Sequence, residues 1–269
     1  MTFSRTTRTV LLVLSGLVLL FIYAPLALVV LNSFNTSRTF EWPPPGYTTQ
    51  WWAAAVENPG ARNAIVVSAE VALMATAVAL VLGTMAALAL HRFRFFGRDT
   101  VSLLIVLPIA LPGVVTGIAL ANAFLTFFGI QLGLFSLVVS HATFCVVTVF
   151  NNAIARLRRL GGNLEEASMD LGAGTFRTFW SVTLPMMRSA LLAGALLSFA
   201  LSFDEIIVTT FTAGSGVQTL PIWIYQNLFR PNQAPVVNVV AAALIVASIL
   251  PIWLSQKLAG TDESVAAAR

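Results

Sequence analysis

The sequence predicts an all-α polytopic membrane protein with six transmembrane helices. Of its 269 residues, 58% are hydrophobic and only 10% are charged, and the mean hydropathy is +0.86. A water-soluble domain carries roughly 25% charged residues, so this chain has too little polar surface to cover a globule in water. The apolar residues also form continuous runs of about 20, the length of a spanning helix. Barrel strands would alternate apolar and polar residues, so a closed barrel is excluded.

Six apolar runs define the expected spans. They cover residues 10–31, 64–90, 101–128, 134–150, 189–211 and 236–254. The first run follows Arg5 and Arg8, as a signal peptide would, but it exceeds the usual apolar length of about 7–15 residues and lacks a clear cleavage site. We therefore expect an uncleaved helix. The third run contains Pro108, Pro112 and Gly113, which predicts a kink that either lines a polar cavity or is absorbed by packing.

Basic residues are distributed unequally between the two sides of these spans. Twelve of the 15 lie on the side of the termini, and the other three are Arg38, Arg62 and Arg230. Cytoplasmic loops carry the excess of Lys and Arg, so both termini are predicted to be cytoplasmic. The pI near 10.0 and the net charge of +4 follow from this topology, and no nucleic-acid partner is needed to explain them.

Catalytic and metal chemistry have little support in the sequence. The single cysteine, Cys145, excludes an intrachain disulfide and is expected to be a small buried side chain. The two histidines, His91 and His141, are too far apart to show metal-ligand spacing. No phosphate-binding Gly-x-x-x-x-Gly-Lys-Ser/Thr motif occurs. We therefore expect no ATPase site, no metal and no cofactor in this chain, which is not predicted to be an enzyme.

The loop over residues 151–188 is long and polar, yet it contains helix signals. Asn163 and Glu166, three residues apart, form an N-cap pattern that predicts a helix start. Gly172 and Gly174 can supply a left-handed C-terminal cap. An apolar stripe on the short helix consists of Leu164, Ala167 and Leu171. A short amphipathic helix of this kind suits a groove in a partner protein, or it merely bridges two spans at the interface.

A second helical piece is expected from Thr175. Its aromatic residues are Phe176, Phe179 and Trp180. Pro185 is expected to end this piece, because proline lacks an N–H and its ring disfavours helix continuation.

The spacing in this loop resembles the EAA loop of ABC importer permeases, which reads Glu-Ala-Ala, three residues, Gly, nine residues, Ile, any residue, Leu-Pro. The matching residues are Glu166, Ala167, Ser168, Gly172, Val182, Leu184 and Pro185. Ser168 and Val182 depart from the pattern conservatively. The resemblance implies a type I ABC importer permease fold, with residues 1–269 as a single transmembrane domain. It also implies that the loop is a coupling helix seated in a cytoplasmic ATPase.

The same resemblance implies the other subunits of the transporter. They are a second permease, expected to be a different chain, two cytoplasmic ATPases that bind ATP and Mg, and an extracytoplasmic solute-binding protein. The expected location is the bacterial inner membrane, surrounded by lipid.

A second resemblance concerns the solute. The runs 202–205 (Ser-Phe-Asp-Glu), 219–221 (Thr-Leu-Pro) and 235–238 (Pro-Val-Val-Asn) are similar to spermidine/putrescine permeases. This resemblance implies that the transported solute is a polyamine, and γ-aminobutyrate, opines and related amines or amino acids remain alternatives.

Asp204 and Glu205 interrupt an apolar run, where a carboxylate costs about 2.5–3.5 kcal/mol on insertion scales. Neighbouring helical residues point about 100° apart, so only one of the two is expected to face a central cavity. The pair either attracts a cationic solute, pairs at a subunit interface or caps a broken helix.

Other polar and aromatic residues complete a candidate pathway. The full set is Phe203, Asp204, Glu205, Glu70, Trp223 and Tyr225. Trp223 and Tyr225 suit either cation–π contact or an interfacial aromatic belt. His141 is either a hydrogen-bonded packing residue or a proton relay. A relay would favour a different function, an ion-coupled secondary transporter.

Overall fold

The structure, a computed structural model, describes residues 4–39, 41–160 and 163–248, and these are almost entirely helical. Within the described residues, the only strand-like pairing is an isolated bridge between Asn35 and Tyr47. The prediction of an all-α membrane protein is confirmed.

The described helices follow one another in a simple order. They are α1 (Arg5–Asn32), α2 (Gln50–Glu57), α3 (Pro59–Arg92), α4 (Arg98–Ala110), α5 (Gly113–Phe127), α6 (Leu134–Arg159), α7 (Asn163–Asp170), α8 (Thr175–Phe203), α9 (Ile207–Thr212), α10 (Leu220–Asn227) and α11 (Ala234–Ser248). Two stretches have π-helical geometry, Ala123–Phe127 in α5 and Phe179–Thr183 in α8.

The predicted number of spans is only partly reproduced. Among the described residues, α1, α3, α6 and α8 are long and apolar enough to cross a membrane, and α4 with α5 makes a fifth span if the bent pair is counted as one. The helix α11 is apolar but shorter. The part of the predicted sixth span after residue 248 lies outside the described residues, so six spans are not reached within them.

The third predicted span is broken rather than kinked. The axes of α4 and α5 differ by 105°. Leu111, at the junction, has extended backbone angles (φ −82°, ψ 145°), because the residue before a proline avoids the helical region. Pro112 then precedes the first turn of α5, while Pro108 is accommodated inside α4.

The fifth predicted span is wrong at both ends. Pro185 does not stop the helix, since α8 runs from Thr175 to Phe203. The π turn immediately before Pro185 widens the helix, which makes room for the proline ring and shifts the hydrogen-bond register where the N–H is missing. At the other end, α8 stops at Phe203 instead of continuing to residue 211, and α9 starts separately at Ile207.

The described residues divide into two compact units, one made of those up to Arg62 and of 224–248, the other of those within Asn63–Trp223. In the first unit, the indole N–H of Trp51 donates to the Asn35 carbonyl (2.9 Å). The proline-rich stretch at residues 43–45 lies in a loop that is closed by backbone hydrogen bonds from the Thr36 N–H to the Gly46 carbonyl (3.1 Å) and from the Thr48 N–H to the Phe34 carbonyl (2.7 Å), and α2 follows it. A single domain over residues 1–269 stays a prediction.

The core of the second unit forms where α3 and α8 pack against α6. Gly83 on α3 approaches α6 so closely that a Cβ would lie 2.9 Å from the Val146 carbonyl oxygen. Small residues at such positions let membrane helices pack tightly. Cys145 is fully buried, and its thiol lies 3.4 Å from the Ser198 carbonyl on α8. The expected structural role of this cysteine as a buried side chain is confirmed.

Candidate functional site

The segment with the EAA-like spacing folds into a short helix and a tight glycine turn. Gly172, just after α7, has a left-handed backbone with φ +85°. Its N–H donates to the Met169 carbonyl (2.8 Å), and the Ala173 N–H donates to the Ser168 carbonyl (3.1 Å). This pair of bonds is a Schellman motif, which satisfies carbonyls that the helix end leaves free. The predicted left-handed cap is confirmed at Gly172.

The Leu-Pro part of the motif lies within α8. Gly174 has φ −68° and precedes α8, so it does not share the capping role of Gly172. Val182 belongs to the π turn, and Leu184 and Pro185 begin the regular helix that follows. We call residues 163–183 the coupling segment.

Five side chains tie α7 to two long helices. Arg92, the last residue of α3, donates from Nη2 to Glu165 Oε1 (2.9 Å) and to Thr183 Oγ1 (3.2 Å). The Thr183 hydroxyl donates to the same Glu165 oxygen. Ser168 and Thr178 add a hydroxyl pair at 3.1 Å. We call Arg92, Glu165 and Thr183 the anchor cluster, because they hold α7 against the ends of α3 and the π turn of α8.

The anchor cluster keeps Glu165 charged. Partial burial disfavours the carboxylate, but hydrogen bonds from Thr183 and Arg92 and the positive charge of Arg92 outweigh it, so the pKa of Glu165 lies below its ordinary value. Sequence reasoning missed this cluster, since Arg92 is 73 residues away from Glu165 and no local pattern connects them.

The apolar stripe predicted on α7 faces outward. Leu164 is 56% exposed and Leu171 is 89% exposed. On the first turns of α8, Phe176 and Trp180 are also exposed and their rings meet edge to face at 6.1 Å. We call these residues, with the exposed Glu166 and Ala167, the coupling face. Exposed apolar surface of this kind, rimmed by charge, is typical of a protein interaction site.

The two neighbouring carboxylates have different environments. We call residues 204–206, the non-helical stretch between α8 and α9, the acidic break. Glu205 Oε1 accepts a hydrogen bond from the Val208 N–H (2.8 Å) and so satisfies a free donor at the start of α9. Asp204 is exposed, and within the described residues its side chain makes no hydrogen bond or ion pair. Glu205 therefore caps the broken helix, and Asp204 is left available.

The other candidate pathway residues differ in exposure. Phe203, next to the acidic break, stacks on Phe199 with ring centroids 5.7 Å apart. Trp223 is only 4% exposed, whereas Tyr225 on the same helix is 64% exposed. Glu70 lies exposed on α3, and within the described part of the chain no hydrogen bond or ion pair joins it to the acidic break. The roles of these residues in a pathway stay predictions.

Comparisons with known proteins point to a single family. The family model described as "Binding-protein-dependent transport system inner membrane component" matches residues 79–259. The chain is similar to the spermidine/putrescine transport system permease protein PotC of Escherichia coli (strain K12), with 35% identity over 240 residues and 89% of each chain covered. It is also similar to the putrescine transport system permease protein PotI of that organism, with 34% identity over 232 residues, 84% of this chain and 82% of PotI being covered.

A solved structure has the same fold. A chain from a bacterial ABC transporter involved in the import of the acidic polysaccharide alginate matches with a TM-score of 0.72 and 16% identity, covering 97% of this chain and 99% of that one. At this identity the likeness concerns the fold alone, and it agrees with the permease fold that the EAA-like spacing implied.

Proposed function

The chain belongs to the family of binding-protein-dependent transport system inner membrane components, and on that premise we propose that it moves a polyamine such as spermidine or putrescine inward across the bacterial inner membrane. It is the permease subunit of an ABC transporter and spans the membrane several times. In this proposal both termini are cytoplasmic. Two ATPases that bind ATP and Mg drive alternating access, a second and different permease completes the pathway, and an extracytoplasmic binding protein delivers the solute. Membership in this family disfavours an ion-coupled carrier.

The proposal of a cationic solute rests mainly on the acidic break. Asp204 is an available carboxylate immediately after the C-terminal end of α8, and the dipole of a helix makes that end negative. The break lies about 24 Å along α8 from Arg188, within the roughly 30 Å of the hydrocarbon core. Two negative features at that depth stabilise an ammonium group that has lost part of its water.

The relatives' names support the polyamine in particular. PotC and PotI are permease proteins for spermidine and putrescine, or for putrescine. γ-Aminobutyrate and opines carry carboxylates of their own, and the acidic break does not attract a carboxylate. A polyamine has only positive groups and fits the site better.

The continuity of α8 supports coupling between ATP hydrolysis and transport. The helix contains part of the coupling face at its start, one member of the anchor cluster in its π turn, and the acidic break at its end. Because α7 is held to α3 and α8 by the anchor cluster, a displacement of the coupling face by an ATPase moves both helices. The displacement is transmitted to Asp204 along α8, which continues without a break up to Phe203.

The test is reconstitution of the assembled transporter in liposomes, with the chain, its partner permease and the ATPase co-purified. We expect ATP-dependent uptake of labelled spermidine, competition by putrescine and stimulation of ATP hydrolysis by spermidine. Gly172→Asp should lose the co-purifying ATPase, because a side chain at φ +85° strains the turn that shapes the coupling face. Uptake without an ATPase would overturn the importer, and stimulation by γ-aminobutyrate but not by spermidine would overturn the polyamine.

A further inference from the structure

The imidazole of His141 connects the helices on the two sides of the acidic break. His141 lies on α6 and has no exposed surface. Its Nδ1 is 2.7 Å from the hydroxyl oxygen of Ser202, in the last turn of α8, and its Nε2 is 2.9 Å from the hydroxyl oxygen of Thr209, in α9. A single side chain of α6 therefore forms hydrogen bonds with both α8 and α9.

The hydrogen bonds determine where the imidazole proton resides. The Thr209 hydroxyl donates its only proton to the Glu205 carbonyl (2.8 Å), so it can only accept from the Nε2–H of His141. The Nδ1 of a neutral ring is then an acceptor, and Ser202 donates to it. An uncharged imidazole therefore has a hydroxyl partner for its one donor and for its one acceptor. These contacts favour the packing role of His141 over a proton relay.

Other contacts secure α8 and α9 separately, as where Ile207 and Phe211 pack α9 against the glycines of α5 and where Cys145 and Ser198 join α6 to α8. The Glu205 carboxylate and the Thr209 hydroxyl make their remaining hydrogen bonds within the break and α9, so they do not orient α9 relative to α8. At the far end of α9, Ser136 on α6 donates to the Thr212 carbonyl (2.9 Å), which secures α9 but not α8. Among the hydrogen bonds of the described residues, those of His141 join one side chain to both α8 and α9.

We propose that His141 is a positioning residue that fixes the relative placement of α8 and α9 and thereby sets where the Asp204 carboxylate meets the cation. The inference rests on the proposed function for its effect on transport. It assigns His141 no contact with the solute and no proton transfer. Misplacement of a binding group by about 1 Å is enough to weaken binding strongly, which is why a buried hydrogen-bond clamp is suited to this place.

The first experiment measures spermidine uptake by the reconstituted transporter. His141→Leu removes both bonds at similar bulk, and we expect KM to rise at least about tenfold while Vmax changes less than about twofold. Thr209→Val should reproduce most of this rise. Thr212→Val is the matched control, because Thr212 is a buried threonine of the same helix whose hydroxyl donates to its own helix (2.9 Å). His141→Gln, whose amide can still donate to Thr209, should lie closer to wild type.

The second experiment observes the break without any solute. Spin labels at the exposed Leu201 and Thr210 flank the acidic break, and buried Cys145 serves as the unlabelled background. We expect a narrow distance distribution in the wild type and in Thr212→Val, and a broad one in His141→Leu and Thr209→Val.

The two measurements together separate the possible failures. If the wild type does not transport spermidine, the proposed solute fails, while the spin-label distances still decide the role of His141. A distribution that stays narrow in His141→Leu overturns the positioning role, whether or not KM changes. If His141→Leu does not assemble, the Thr209→Val and Thr212→Val pair makes the same comparison, and equal behaviour of those two variants overturns the inference.

Discussion

The coupling segment and the acidic break both interrupt regular helix, but they are stabilised by different means. The coupling segment relies on a local device, the Schellman motif at Gly172, and on a partly exposed ion pair. The acidic break also has a local cap, from Glu205 to the Val208 N–H, and in addition it has a buried imidazole from a distant part of the chain. Free backbone groups that water does not reach must be satisfied by the protein itself. Local hydrogen bonds do this at both sites, and at the acidic break the tertiary contact of His141 adds the placement of α9 relative to α8.

The largest effect is expected at the acidic break, from neutralising one of its two carboxylates. Asp204→Asn removes the available charge, a loss of about 2–3 kcal/mol of interaction with an ammonium group, or roughly 30–150-fold in spermidine uptake at low concentration. Glu205→Gln is the control, because an amide oxygen can still accept from the Val208 N–H, and it should retain most of the uptake. If both variants lose uptake equally, the assignment of Glu205 as a helix cap and of Asp204 as the carboxylate that meets the cation is wrong.

The next largest effect is expected at the Schellman motif of the coupling segment. Gly172→Ala forces a side chain into the left-handed region and should destabilise the turn by about 1–2 kcal/mol, whereas Gly174→Ala should be nearly neutral at φ −68°. At both positions a Cβ meets no atom within 4 Å, so only the backbone differs. Hydrogen exchange of the α7 amides measures this, with roughly 5–30-fold faster exchange expected in Gly172→Ala. Equal exchange in the two variants would contradict a role for the left-handed cap.

A smaller effect is expected from the anchor cluster. The side chains of Arg92 and Glu165 are each 27% exposed, and exposed pairs contribute only about 0.2–1 kcal/mol. Arg92→Glu should raise the ATP hydrolysed per spermidine transported, because like charges push α7 away from α3. The exchanged pair Arg92→Glu with Glu165→Arg should restore coupling, and Arg94→Glu, an exposed neighbour, serves as the control. Failure of the exchanged pair to recover would show that charge attraction does not hold α7.

The smallest effect is the pH dependence of the same cluster. The pKa of Glu165 is lowered in the folded protein, so its stabilising contribution is fully present above the ordinary glutamate pKa and is lost as the pH falls through the lower folded value. Exchange protection of α7, corrected for intrinsic rates, should therefore stay constant from neutral pH down to the ordinary glutamate pKa and then decline. The decline should be absent in Glu165→Gln. A decline that begins near neutral pH would contradict the lowered pKa.

Much of the fold could be predicted because a helix that spans lipid needs about 20 consecutive apolar residues. Continuous apolar runs located α1, α3 and α6, and the glycine and acidic residues of the EAA-like spacing located α7 and its cap. Local rules failed where a helix could adjust its geometry. Pro185 was expected to end a helix and instead follows a π turn, and the fifth span was expected to continue past the break at residues 204–206.

The sequence by itself located most of the segments that are long and apolar enough to span a membrane, the short helix with an apolar stripe and the two exceptional carboxylates, because each depends on residues close together along the chain. The tertiary structure decided which carboxylate is available and what holds each end of α8. Arg92 and Glu165 are 73 residues apart, and His141 is 61 and 68 residues from Ser202 and Thr209. Pairings over such separations leave no periodic or spacing signal, since they form only when packing brings α3, α6 and α8 together.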